Sequence, residues 1–296
     1  MSNNDKKPLN DSIEKKIVGD MRDKIKLLKK IEININKIAK LQLDSLNSIN
    51  DCKKILIELD KLSRSLNIEE SKILKDYITS KNTEADQIRF DLEKTFTNEV
   101  NRELLKNDMK LEGHVPKLEV GFYTLLLKTD QKKCELFYGP EEEKISDIKL
   151  DPTDIVKKIY NHRKKLDSLS EKTNDFLDLL NEAYTRVLKT TPSVIRKKAN
   201  IINVMNQLAF LKQDMKFFKD PKRENFMDYG RIQFSYDLYK YMSTHENKYF
   251  IILTPSTRLQ AKNRENYLWV PKDENVDDGT IYSTIEIRDE KYGNGD

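Results

Sequence analysis

The acidic runs Glu141-Glu142-Glu143 and Asp273-Glu274, with Asp277-Asp278 close behind, carry the oxygen ligands that a hard divalent cation takes. Neither has the alternating spacing of a calcium loop, and both read as solvated loops. The three histidines, His114, His162 and His245, fall in separate segments far from Cys52 and Cys134, which argues against a zinc site. His162, within Asn161-His162-Arg163-Lys164-Lys165, reads as a solvated helix residue, and His114 as a local hydrogen-bonding group at a hinge. No Ser or Thr stands in a GxSxG context, so no nucleophile–base pair is legible. GxxxxGK[ST] and GxGxxG are absent, and 8 glycines in the whole chain leave little material for a phosphate-cradling loop. The reading is non-enzymatic, with no catalytic residue, cofactor, metal or small-molecule substrate expected.

Binding chemistry is better represented. Net charge is only +4, from 54 basic and 50 acidic side chains, so a nucleic-acid surface would have to be a local patch. The candidates are Arg196-Lys197-Lys198 and the set Arg258, Lys262 and Arg264, with Arg163-Lys164-Lys165 and the Lys216–Arg223 cluster nearby in character. Arg258, Lys262 and Arg264 fall in the expected turn of a C-terminal β-hairpin. A winged-helix-like arrangement of that kind would track phosphates without reading bases. Interspersed acids such as Asp214, Asp220 and Glu265 offset much of this charge. A second kind of surface is aromatic: Phe217 to Phe250 holds ten rings. Phe234 and Leu238 share a helix face, and Tyr236, Tyr239 and Tyr241 cannot all join them, so these tyrosines are candidate partner contacts.

The elements that must carry these residues begin with a long helical segment. Between Gly19 and Gly113 there is neither glycine nor proline. A heptad with Met21 at a places Leu28, Ile35, Ile49 and Leu56 at further a positions, and Ile31, Ile38, Cys52, Leu59 and Leu66 at d. Ten of the fourteen a and d positions are apolar, a stripe that needs a supercoiled partner to stay dry. Leu28, Ile35 and Ile38 are therefore candidate partner contacts. Gln42 and Ser45 interrupt the stripe. The preferred reading is a local phase shift in which Leu41 and Leu46 take over the seam of a helix running from Ile13 to Asn67. Asn67 then caps a second helix, with Glu70 at its third position. The two helices either fold back as a hairpin or pair with another chain. Cys52 at d reads as a small buried hydrophobe.

Three regions follow: a disordered tail (1–12), a helical coiled coil (13–112) and an α+β domain (113–296). In the last, Leu118–Leu127 and Cys134–Tyr138 form a hairpin, and Lys144–Leu150 adds a strand. Asp151-Pro152 starts a helix to Leu169. Helices at Thr173–Leu188, Ser193–Phe218 and Arg231–Met242 come next. Strands at Lys248–Thr254, Asn266–Val270 and Thr280–Arg288 close the chain. The fold class is mainly α within an α+β architecture: a long N-terminal coiled coil or helical hairpin, then a compact α+β region. No signal-peptide core or membrane-length apolar run occurs, and the chain reads as soluble and cytoplasmic.

The block HVPKLEVGFYTLLL, CELFYGPEEEKI, KLDPTDIVKKIYNHRKKL, FLDLLNEAYTRVL and FFKDPKRENFMDYGRIQFSYDLYKY, over roughly 114–241, resembles small accessory subunits of bacterial SMC-like ATPase systems of the Lamassu type, which act against phage and plasmids. The resemblance implies a non-enzymatic subunit whose partners are an SMC-like ATPase and a nuclease, and it assigns no functional residue. The expected function is a scaffold or accessory subunit of a multi-protein, nucleic-acid-directed complex. The alternative is a sequence-nonspecific DNA-binding module using the basic C-terminal patches.

Overall fold

The computed structural model describes residues 7–170, 173–190, 197–243 and 249–289. It is mixed α+β, 62% helix and 18% strand, with an N-terminal helical region followed by antiparallel sheet. The chain divides into two compact units: residues 1–98 with 129–132, and residues 99–128 with 133–296. The division falls inside a helix, where the sequence reading placed it at 112/113. Helical spacing continues unbroken to Leu104, and no glycine or proline marks the change.

The first unit is built from α1 (Lys7–Lys40), α2 (Leu46–Ser63) and the greater part of α3 (Ile68–Leu105). Helix begins at Lys7, inside the stretch expected to be disordered. The single helix expected from Ile13 to Asn67 does not form. It breaks at 41–45, and Ser45 caps α2 by accepting the Ser48 amide at 3.2 Å, while Ser48 Oγ accepts the Ser45 amide. A hydroxyl at this point offers the backbone amides a better partner than a continued helix offers the side chain. The phase shift is therefore replaced by a chain reversal: Gln42 is exposed, and Leu41 and Leu43 pack on the core from the loop. At the second reversal Asn67 Oδ1 accepts the Glu70 amide at 2.8 Å, as the spacing predicts. Ile31 and Ile38 of α1, Cys52, Leu56 and Leu59 of α2, and Leu74 and Ile78 of α3 share one core. The heptad survives the break because each half turns its stripe toward this core. Turn residue Thr129 belongs to the same unit, its carbonyl accepting from Asn50 Nδ2 and its hydroxyl from Arg89 Nη2 at 3.3 Å.

The second unit opens on a five-stranded antiparallel meander: β1 (Glu112–His114), β2 (Lys117–Val120), β3 (Tyr123–Lys128), β4 (Lys133–Tyr138) and β5 (Glu143–Lys149). The stretch expected as one strand, Leu118–Leu127, is two, because Gly121 adopts φ 54° and the chain reverses so that Val120 pairs with Tyr123. Helix α4 (Pro152–Leu169) lies against β5 and starts where Asp151 accepts the Asp154 amide at 2.9 Å. Its Ile155 and Ile159 are buried, as are Leu125 and Leu136 of the sheet.

Helices α5 (Thr173–Thr190), α6 (Ile201–Leu211), α7 (Met215–Lys219) and α8 (Arg231–Met242) follow, with the short strand β6 (Ala199–Asn200) before α6. The helix expected over Ser193–Phe218 is interrupted. Asn200 caps α6 and Asp214 caps α7, each side chain accepting two amides. The second sheet is centred on β9 (Thr280–Asp289). Strand β7 (Tyr249–Pro255) runs along one edge, and β6 and β8 (Leu268–Val270) along the other. Leu180, Val204, Leu208, Phe234, Leu238, Leu268 and Ile285 form the core between these helices and this sheet.

Candidate partner interface

In the first unit, the core contacts of α1 begin at Leu27, and the Lys24–Glu70 ion pair at 3.1 Å marks the level where α3 starts. α2 ends at Ser63 and α3 begins at Ile68, so the α1 residues before Lys24 run past both. That is about 25 Å of single helix at 1.5 Å per residue. Along it, Ile13, Ile17, Val18 and Met21 are exposed, Met21 by 62%, and just beyond it Ile25 and Leu28 stay exposed on the side turned away from the core, Leu28 by 42%. At 100° per residue Ile13, Ile17, Met21, Ile25 and Leu28 fall on one continuous stripe. An aliphatic stripe of this length costs free energy in water and is recovered by burial against another apolar face.

Of the predicted partner contacts, Leu28 belongs to this stripe. Ile38 does not: it is buried in the chain's own core, and Ile35 packs against that core partly buried. The residues N-terminal to Leu28 carry the same heptad signal. The pattern marks a face without marking where the chain's own partner stops, so it does not single these residues out.

Two of the three tyrosines are corrected. Tyr236 and Tyr241 are buried, and Tyr239 is half-buried. Helix α8 is covered on two sides, so residues that leave one core face meet a second. Tyr241 joins Phe234 and Leu238, and its hydroxyl donates to the Tyr249 carbonyl at 2.5 Å. Tyr236 and Tyr239 pack edge-on against Phe122 at 5.7 and 5.0 Å, and the Tyr236 hydroxyl donates to Asp167 Oδ1 at 2.6 Å.

The basic candidates differ in their surroundings. Arg196 lies outside the described residues. Lys197, Lys198, Arg258 and Lys262 are exposed. Arg264 is paired with Glu143, whose carboxylate also takes Arg231. The turn carrying Arg258, Lys262 and Arg264 does not close a hairpin. Pro255 and Leu268 both pair with Tyr282, so β7 and β8 flank β9 on opposite sides. The winged-helix-like arrangement is thus absent from this segment. The reason is that β9 is long enough to pair with both neighbours and separates them.

His162 is also placed differently from the expectation of a solvated residue. It is half-buried, with Nδ1 3.0 Å from the Tyr123 hydroxyl and the two rings edge-to-face at 5.6 Å. Burial, followed by the charges of Lys165 and Lys158, pulls its pKa down to about 4, and burial pushes Tyr123 well above the usual phenol range. The imidazole is neutral at pH 7, and its Nδ1 shares a hydrogen bond with the Tyr123 hydroxyl. The pair ties α4 to β3.

Beside it, Arg163 pairs with Glu274 at 2.6 Å and stands over the Phe122 ring. A cleft of about 250 Å³ opens here, with Asp108, Glu112 and Glu119 on its wall. No group of three His, Cys, Asp or Glu side chains able to hold a metal ion occurs among the described residues. Both cysteines are buried and unpaired with each other, and burial pushes the Cys134 thiol up to about 12, leaving it unreactive. No described helix is long and apolar enough to cross a membrane. Compared with protein-family models, curated proteins and solved structures, the chain matches none.

Proposed function

We propose that the protein is a non-enzymatic scaffold or accessory subunit of a multi-protein, nucleic-acid-directed complex, joined to its partner through the N-terminal part of α1. The single observation that supports this most is the exposed stripe Ile13, Ile17, Met21, Ile25 and Leu28, most of it on helix that runs beyond α2 and α3. Its alternating three- and four-residue steps, Val18, Met21, Ile25 and Leu28, fit a helix of the partner laid alongside as a coiled coil. The resemblance over 114–241 points to an SMC-like ATPase and a nuclease of bacterial defence as the other subunits. Chemistry would then reside on those chains.

The test is a tagged pull-down from the host's lysate, read by mass spectrometry, with wild-type protein and the triple variant Ile17→Asp, Met21→Asp, Ile25→Asp. An ATPase of that class should be retained by the wild type and lost from the variant. All three positions are exposed, so the variant should fold normally by circular dichroism. Equal retention by both proteins, or capture of no other subunit, would remove the basis for the proposal.

A further inference from the structure

The charge around the α1 stripe is not evenly spread. From Ile13 to Lys30 the helix carries seven basic residues (Lys15, Lys16, Arg22, Lys24, Lys26, Lys29 and Lys30) against three acids (Glu14, Asp20 and Asp23). Lys15, Arg22 and Lys29 recur every seventh residue and so form a column along one rim of the stripe. All three are exposed, and none has an acidic partner among the described residues. The opposite rim is mixed, with Asp20 and Asp23 beside Lys16, and with Lys24 already paired to Glu70.

We infer that the occupant of this face is an acidic helix of another protein, one with aliphatic residues for the stripe and a column of Glu or Asp facing Lys15, Arg22 and Lys29. This rests on the reading of α1 as the partner face and names the chemistry of the partner. Two other occupants fit less well. A second copy of the chain would bring an equally basic helix against this one, and like charges along a coiled-coil rim select against pairing. A bilayer is met by interfacial helices that carry Trp or Phe at the headgroup level, and this stripe has neither. Cations in register with carboxylates speed encounter and exclude wrong partners, while the aliphatic contact supplies the affinity.

The experiment uses the full chain and two synthetic probes, each a four-heptad helix with Ile at a and Leu at d. One probe carries Glu and the other Lys at e and g. Binding is read by fluorescence anisotropy at low and high salt. The acidic probe should bind at least about tenfold more tightly than the basic one, with the preference shrinking as salt rises. The variant Lys15→Glu, Arg22→Glu, Lys29→Glu should reverse the preference, and the Ile17, Met21, Ile25 triple Asp variant should abolish binding of both probes.

Light scattering on the chain alone and flotation with phosphatidylcholine–phosphatidylserine vesicles complete the test. A dimer, or vesicle binding, that the triple Asp variant destroys would overturn the acidic partner while leaving α1 as an assembly face. Equal binding of the two probes would do the same. Binding of either probe that the triple Asp variant leaves unchanged would overturn both readings.

Discussion

Replacing His162 by Gln should flatten the acid limb of the second unit's stability. In the wild type the imidazole is held neutral, its pKa pulled from 6.5 down to about 4 by burial and by Lys165 and Lys158. An unfolded chain therefore binds more protons than the folded one between those values. Stability must rise with pH across the window from 4 to 6.5 and level off above it. The sign is that of a base with a depressed folded pKa: its contribution is complete above 6.5 and is lost as pH falls. Between pH 7 and pH 4.5 the full shift corresponds to about 2.4 kcal/mol. Partial solvent access to the ring reduces this to about 2 kcal/mol.

Gln offers the Tyr123 hydroxyl both an amide oxygen and an amide NH2, so the variant removes the titration and retains a hydrogen bond. Trp269, the only tryptophan, is buried in the second unit with its ring 5.2 Å from that of Tyr138, so its fluorescence follows the unit that holds His162. Urea unfolding at the two pH values, with and without the substitution, gives a double difference in which other titrating groups cancel. Identical pH dependence in the two proteins would refute the burial of a neutral imidazole.

Two further outcomes follow from local geometry. Ser45→Leu should destabilise the first unit by about 1 kcal/mol, because it removes the acceptor for the Ser48 amide, and Ser45→Gly should cost only a few tenths. A thermal melt followed at 222 nm checks this, and stabilisation by leucine would mean that the helix is continuous there with a buried layer. Gly279→Ala should cost about 1–3 kcal/mol, since a Cβ at that position would sit 2.3 Å from ring atoms of buried Trp269. An unchanged fluorescence-detected urea midpoint would show that the indole can move aside.

Local signals carried far along this chain. The heptad over 21–66 marks the residues that are buried, apart from its N-terminal end. Asn67 and Asp151 start helices because a short acceptor side chain in front of an apolar period satisfies amides that nothing else can reach. Arg231–Met242 and the last three strands are legible for the same reason: their periods change where their turn residues stand. The break at 41–45 was less so. With no glycine or proline there, a serine reads equally as a cap or as a polar layer, and only the gain from packing Leu41 and Leu43 on the core decides between them.

Sequence by itself determined which faces of the helices are apolar, where most of them start, and that phosphate-cradling and metal-ligating motifs are missing. Tertiary structure decided what covers each face. It closed the heptad on the chain's own three helices and left Ile13 to Met21 uncovered, because α2 and α3 stop short of them. Structure also buried Tyr236 and Tyr241 by packing α8 on two sides, and separated the strands of the expected basic hairpin across β9. A periodic pattern records only that a residue prefers to leave water. Which neighbour receives it depends on loop geometry and on pairings between segments far apart in the chain, and neither is written into a local period.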